Sequence, residues 1–418
     1  MNVQQRVNTD LYESTIDKIK IFAESMDINL NIRIVYSPSR QAETRTFGEH
    51  TWLIYDQYMG QSMNLLNRIF IEADDDEPAF IYFHKVLSER LLEVGNLNES
   101  LHCASIYAQE RDKLKGKFTN EKLRDTLTNA QERFYFYHEF GHRIYAEPKL
   151  QPLVREQVQR LVEECITQKT LPLDELILQM RAAPPAAYHH MDLEQLINEI
   201  RKDFISKKKC DFTQATLAAL VDPAIHEEIF CDILAADLLS VDAIVNELDQ
   251  TEILRAIYIG FYHLQAFEYI RRFPNLPRGN GPVGSDWKRD NMPRIQARSH
   301  CLKSHLLFSY EGHLRTFSEF DDEAISAKIE SFAIQLMDDQ KRHYDLIFDI
   351  TMKICDNLRR GNRIAKLGKK AKSRIEPKAP RSAAKGKPLT SDEIKDIILI
   401  TTGWFHDDMR PEPTSSLP

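Results

Sequence analysis

The segment FYFYHEFGHRIYA, residues 134–146, holds two histidines four positions apart, His138 and His142, with Glu139 between them. On an α-helix that spacing puts both imidazoles on one face, one turn apart. Two such histidines suit a zinc ion, and the glutamate between them suits a general base. A catalytic zinc takes three protein ligands and keeps a fourth position for water, so a third donor must come from elsewhere in the chain.

The segment HEEIFCDILAAD, His226–Asp237, offers one. Glu228 and Asp232 are four apart and share a helical face. Glu228 could supply an oxygen ligand, and Asp232 could accept the free ring N–H of a ligating histidine, fixing its tautomer. A carboxylate pair on an otherwise apolar helix is costly unless it meets a cation or donors. Other donors compete for the third position: Glu227 beside Glu228, and His189 and His190 in the segment PPAAYHH. The acidic run Asp74–Glu77 lacks the spacing of a calcium loop and reads as a solvated turn.

HExxH followed by a helical ExxxD resembles the gluzincin metallopeptidases. The form E-x-x-small-D-x-x-A, with Cys231 in the small slot and Ala235 closing it, is similar to the CAAX-prenyl-protease-like peptidases and the Lit-type phage-exclusion proteases. Those families often carry H-P-x-x-x-x-R after the glutamate helix. Here Pro293 and Arg298 stand in register, but Met292 replaces the histidine. The resemblance implies a zincin-like core and a zinc cofactor held by His138, His142 and Glu228. It also implies Asp232 behind a ligand and hydrolysis of a peptide bond in a protein or peptide substrate. Glu139 would take a proton from water and pass it to the leaving amine. A developing oxyanion would need a donor, for which Arg298, His300, His305 and Tyr145 are candidates; Arg298 leads through the resemblance alone. The likeness to Lit-type proteases implies a bacterial defence or stress effector. The prenyl proteases are membrane-embedded, and this chain has no apolar run long enough for that.

Several elements must position these residues. The first part reads as α+β: a helix over Ser14–Met26, strands over Asn31–Ser37 and His50–Asp56, and between them a loop or a short third strand. A helix over Gln61–Ala73 follows. Beyond Asp74 nearly everything carries helical periodicity, including 120–146, 154–168, 173–183, 193–208, 224–248, 252–273, 294–310 and 322–360. The Gly- and Pro-rich stretch Pro274–Pro293 reads as a loop at the rim of a cleft. The aromatic run before His138, with Phe134, Phe136 and Tyr137, would bury the active helix. The expected fold class is α+β and mostly helical, with a small N-terminal sheet. The expected organisation is an N-terminal α/β region over 1–125 and a helical region with the zinc site over 126–356. A basic linker over 357–390 and a short C-terminal helix and tail over 391–418 complete it.

Bulk properties narrow the class. The 418 residues are 42% hydrophobic and 28% charged, which is ordinary for a globular protein. The N-terminus lacks the apolar core of a signal peptide. Six scattered cysteines without a CxxC pair suggest reduced thiols and a cytoplasmic setting rather than a disulfide framework. The net charge of −8 is unevenly spread: Asn357–Lys387 holds twelve Lys/Arg against one acid, leaving −19 for the remainder. With no aromatics to stack bases, that strap reads as a solvated linker, with nonspecific nucleic-acid binding as its functional alternative. Two rival functions share these features. One is a regulatory zincin scaffold without turnover. The other is a nucleic-acid-associated protein with a structural zinc.

Overall fold

The computed structural model describes residues 3–37, 40–47, 50–72, 77–114, 120–168, 214–275, 283–344 and 349–368. These residues are mostly helical with one three-stranded sheet, an α+β arrangement. The chain falls into two compact units. The first comprises Met1–Phe136, Arg255–Asp286 and Gln335–Pro418; the second comprises Tyr137–Leu254 and Trp287–Ile334.

The first unit opens with α1 (Val3–Ser25), followed by β1 (Asn31–Val35), β2 (Ala42–Phe47) and β3 (His50–Asp56). The sheet order is β1-β3-β2. β1 runs parallel to β3 with Asn31 opposite Trp52, and β2 runs antiparallel with Phe47 opposite His50. Ala42–Phe47 is thus the short third strand. In the central strand Thr51, Leu53 and Tyr55 are buried, the period-two pattern of a strand with one face on a core. Asp56 joins this sheet to α2 (Gln57–Glu72): Oδ1 accepts from the Ser37 and Tyr58 amides, both at 3.0 Å, and Oδ2 from the Arg40 amide at 2.9 Å.

Helices α3 (Glu77–Glu93) and α4 (Leu97–Glu110) complete the N-terminal part, and α5 (Glu121–Tyr145) begins in this unit. Phe136 of α5 stacks on Tyr55 with ring centroids 4.1 Å apart, and Tyr12 of α1 lies 5.9 Å from both rings. Glu132 is buried in the same cluster, where its Oε1 accepts from Tyr12 Oη at 2.6 Å and Tyr55 Oη at 3.0 Å. Gly60 makes room for it, since a Cβ at that position would stand 1.9 Å from Glu132 Oε1. The aromatic run expected to bury this helix does so: Phe134, Phe136 and Tyr137 are all buried.

In the second unit lie the end of α5, α6 (Gln151–Gln168), α7 (Gln214–Leu220) and α8 (Pro223–Val245). Asp222 caps α8 by accepting from the Ala224 amide at 3.0 Å, with Pro223 in the first turn, where its missing N–H costs nothing. Tyr137 Oη donates to Asp242 Oδ2 of α8 at 2.8 Å. Next come α9 (Gln250–Arg272), α10 (Val283–Phe317), α11 (Asp322–His343) and α12 (Asp349–Gly368).

Three expectations change. The stretch 274–293 is a loop only in its first part, because α10 starts at Val283 and runs through Pro293. In a helix of 35 residues the missing proline N–H removes one bond of a long ladder. The first helix starts at Val3 rather than Ser14, and within 322–360 the described helices are α11 and α12. α12 reaches Gly368, so the first twelve residues of the basic strap, 357–368, continue a helix. The remainder of the strap, the expected helices at 173–183, 193–208 and 391–402, and His189 and His190 lie outside the described residues. No described helix is long and apolar enough to cross a membrane.

Candidate metal centre

α5 presents His138 and His142 with ring centroids 5.0 Å apart, as the four-residue spacing requires. Close approach of α8 to this turn depends on Gly141. A Cβ there would meet the Cys231 Cα and Sγ at 3.0 Å. The glycine of HEFGH is therefore a packing residue: it lets the backbone of one helix reach the other.

That approach brings Glu228 to both histidines. His138 Nε2 lies 3.6 Å from Glu228 Oε2, and His142 Nε2 lies 3.8 Å from Glu228 Oε1. The opposite nitrogen of each ring faces a different carboxylate. His138 Nδ1 lies 3.0 Å from Asp232 Oδ1. His142 Nδ1 donates to Glu227 Oε1 at 2.8 Å, because a carboxylate can only accept. The two rings thus share one arrangement, with Nε2 toward one or other oxygen of the Glu228 carboxylate and Nδ1 backed by an acid. Such backing fixes the tautomer and orientation that metal ligation needs.

Arg298 of α10 organises the acids. Its Nε and Nη2 donate to Asp232 Oδ2 and Oδ1, each at 2.9 Å, and its Nη1 lies 2.8 Å from Glu228 Oε2. The sequence suggested Arg298 as a donor to an oxyanion; in the structure all three guanidinium nitrogens face carboxylates. The other donors considered lie as follows. His305 donates to Asp237 Oδ1 at 2.6 Å, Tyr145 is buried with its ring 5.8 Å from Phe230, and His300 is half-buried on α10. Glu139 is half-buried beside His138. Met292, where the resembled families carry histidine, is buried.

Electrostatics follow from this geometry. Burial disfavours charge on His138, but Asp232 and Glu228 outweigh it and lift the imidazole to about 10. Burial alone would raise Asp232 and Glu228; Arg298 first, then His138, holds both below the ordinary carboxylate range. Two of the carboxylates, Glu228 and Asp232, meet Arg298, while Glu227 meets His142. Negative charge gathered beside two imidazoles is what a divalent cation offsets.

A ring nitrogen from each histidine and Cys231 Sγ also lie within 4.8 Å of one another, so these three form a buried cluster that could bind a metal. Sequence reading placed Cys231 only as a small packing residue, and gave Glu227 no contact with His142. The available signal for Glu227 was that a second ligating histidine also needs an acid behind Nδ1. For Cys231 it was the spacing of three from Glu228, which puts the two on one face.

A tetrahedral zinc with bonds of about 2.0–2.1 Å holds its donors roughly 3.3–3.4 Å apart. Glu228 reaches the two histidines through different oxygens, Oε2 at 3.6 Å from His138 Nε2 and Oε1 at 3.8 Å from His142 Nε2. The donor types present, imidazole, carboxylate and thiol, are those that zinc takes. No family model, no curated protein and no solved structure matches the chain.

Proposed function

We propose that the chain is a zinc-dependent metallopeptidase with a gluzincin-like core, acting on a peptide bond of a protein substrate. The observation that carries this reading is the convergence of His138 Nε2 and His142 Nε2 on Glu228, with Asp232 and Glu227 behind the opposite nitrogens. Zinc would be held by His138, His142 and Glu228, and would supply Lewis acidity that lowers the pKa of water and polarises a carbonyl. Asp232 and Glu227 keep the two imidazoles in the ligating tautomer. Arg298 holds Asp232 in a two-point fork and steadies Glu228, which makes it a positioning residue in this scheme. Glu139, adjacent to His138 in the motif, receives a proton from water on its carboxylate and returns it to the leaving amine. The reduced-thiol pattern fits a cytoplasmic setting. The resemblance to phage-exclusion proteases points to a bacterial defence or stress effector with few protein targets.

Metal analysis combined with sequencing of new protein N-termini in expressing cells tests the reading. Wild type and Glu139→Gln should each bind one zinc per chain, and His142→Ala and Glu228→Ala should lose it. New termini should appear with wild type and not with Glu139→Gln. A chain that takes up no zinc, or identical termini from Glu139→Gln, overturns it.

A further inference from the structure

Cys231 is the one donor in this cluster that the three-ligand scheme does not use. Its side chain is fully buried. Its sulfur sits where α8 crosses α5, 3.0 Å from the place a Cβ would take on Gly141, between the two histidines in sequence. A ring nitrogen of each histidine lies within 4.8 Å of it. Glu228 stands three residues earlier on the same face of α8. Packing at this crossing asks only for a small residue, and alanine or serine would serve. The sulfur adds metal-binding chemistry to a position that needs only small volume.

We infer that Cys231 is a further metal donor in the resting protein, beside the ring nitrogens of His138 and His142. The inference rests on the metal-centre reading above and adds a ligand and a specificity to it. Binding the ion through sulfur would release the Cys231 S–H proton to solvent. A thiolate beside two imidazoles favours zinc over the hard, oxygen-seeking cations magnesium, calcium and manganese.

Cobalt(II) is the probe, because a sulfur ligand gives it a near-ultraviolet charge-transfer band that nitrogen and oxygen ligands do not. The metal-free full-length chain is titrated with cobalt(II), and bound metal is counted alongside the spectrum. Wild type should take up one cobalt per chain and show the band. Cys231→Ser and Cys231→Ala should still bind one cobalt, roughly tenfold more weakly, and lose the band. His142→Ala should bind none. A band that persists in both Cys231 variants, or wild type with one cobalt and no band, overturns the sulfur ligand while leaving the metal centre intact. No cobalt uptake by wild type, or uptake that survives His142→Ala, overturns the metal centre and the sulfur ligand together.

Discussion

One helix, α5, carries two buried ionisable sites with opposite solutions to the same cost. In the first unit Glu132 meets only neutral donors, the hydroxyls of Tyr12 and Tyr55, and burial pushes its carboxyl up to about 7 despite them. In the second unit Asp232 is as deeply buried, yet Arg298 and His138 hold it below the ordinary range. Burial sets the cost of charge in both places; the charge of the partner decides whether the group ionises. The first site holds a carboxyl that burial raises within an aromatic core. The second keeps negative charge at the histidines, which is what a cation site requires.

The comparison breaks most severely at Arg298. Arg298→Met leaves Asp232 and half-buried Glu228 without their permanent cation, and removing one partner of a buried pair costs about 3–5 kcal/mol. Chemical denaturation of the metal-free protein at neutral pH should show a loss of that size. Asp232→Asn in the Arg298→Met background should recover part of it.

Glu132 gives the next largest effect, with a sign that distinguishes the two sites. Its folded pKa is raised from 4.5 to about 7, so the native state keeps a proton that the unfolded chain has released. Its contribution is full below about pH 4.5, declines as pH rises, and is gone above about 7. The change is on the order of 3 kcal/mol across that window. Unfolding free energy measured from pH 4.5 to 8 should lose this component in Glu132→Gln. Asp232, whose pKa is lowered, contributes stability above the ordinary carboxylate pKa and loses it as pH falls, so its slope has the opposite sign.

Gly141→Ala tests the helix crossing that the second site depends on. The added methyl meets Cys231 Cα and Sγ at 3.0 Å, so α5 and α8 must part by a few tenths of an ångström. Overpacking of this kind costs about 1–3 kcal/mol. Zinc affinity should fall together with melting temperature, whereas Gly95→Ala, with open space around its Cβ, should leave zinc affinity unchanged.

Glu227→Ala is the mildest change and sharpens the role of the acids. Losing the acceptor of His142 Nδ1 should weaken zinc binding by roughly 10–100-fold. Glu227→Gln, whose amide oxygen can still accept, should restore most of it. Equal losses from alanine and glutamine would show that charge rather than tautomer control sets the affinity.

Helical periodicity made much of this architecture legible. The α5 and α8 helices lie where the apolar spacing put them, and β1 and β3 follow the alternation of β-branched residues. The edges were less legible. Ala42–Phe47 is too polar to announce a strand, and it owes its place to the pairing offered by β3. Pro293 reads locally as a helix breaker, and α10 carries it because the rest of the ladder holds. Both are cases in which distant partners outweigh local preference.

The sequence alone determined that His138 and His142 share one helical face and that Glu228 and Asp232 share another. Both statements need only the 3.6-residue turn, which is a local property of the backbone. It also placed a glycine between the histidines and a small residue on the facing helix. Tertiary structure decided everything that depends on how close those helices come. It decided that Glu228 lies between the two Nε2 atoms, that Glu227 rather than solvent meets His142, and that Arg298 faces Asp232 and Glu228 together. It also decided that Cys231 stands beside the two histidines. Those pairings join residues 66 to 93 positions apart, and their energies depend on distances that no local pattern encodes.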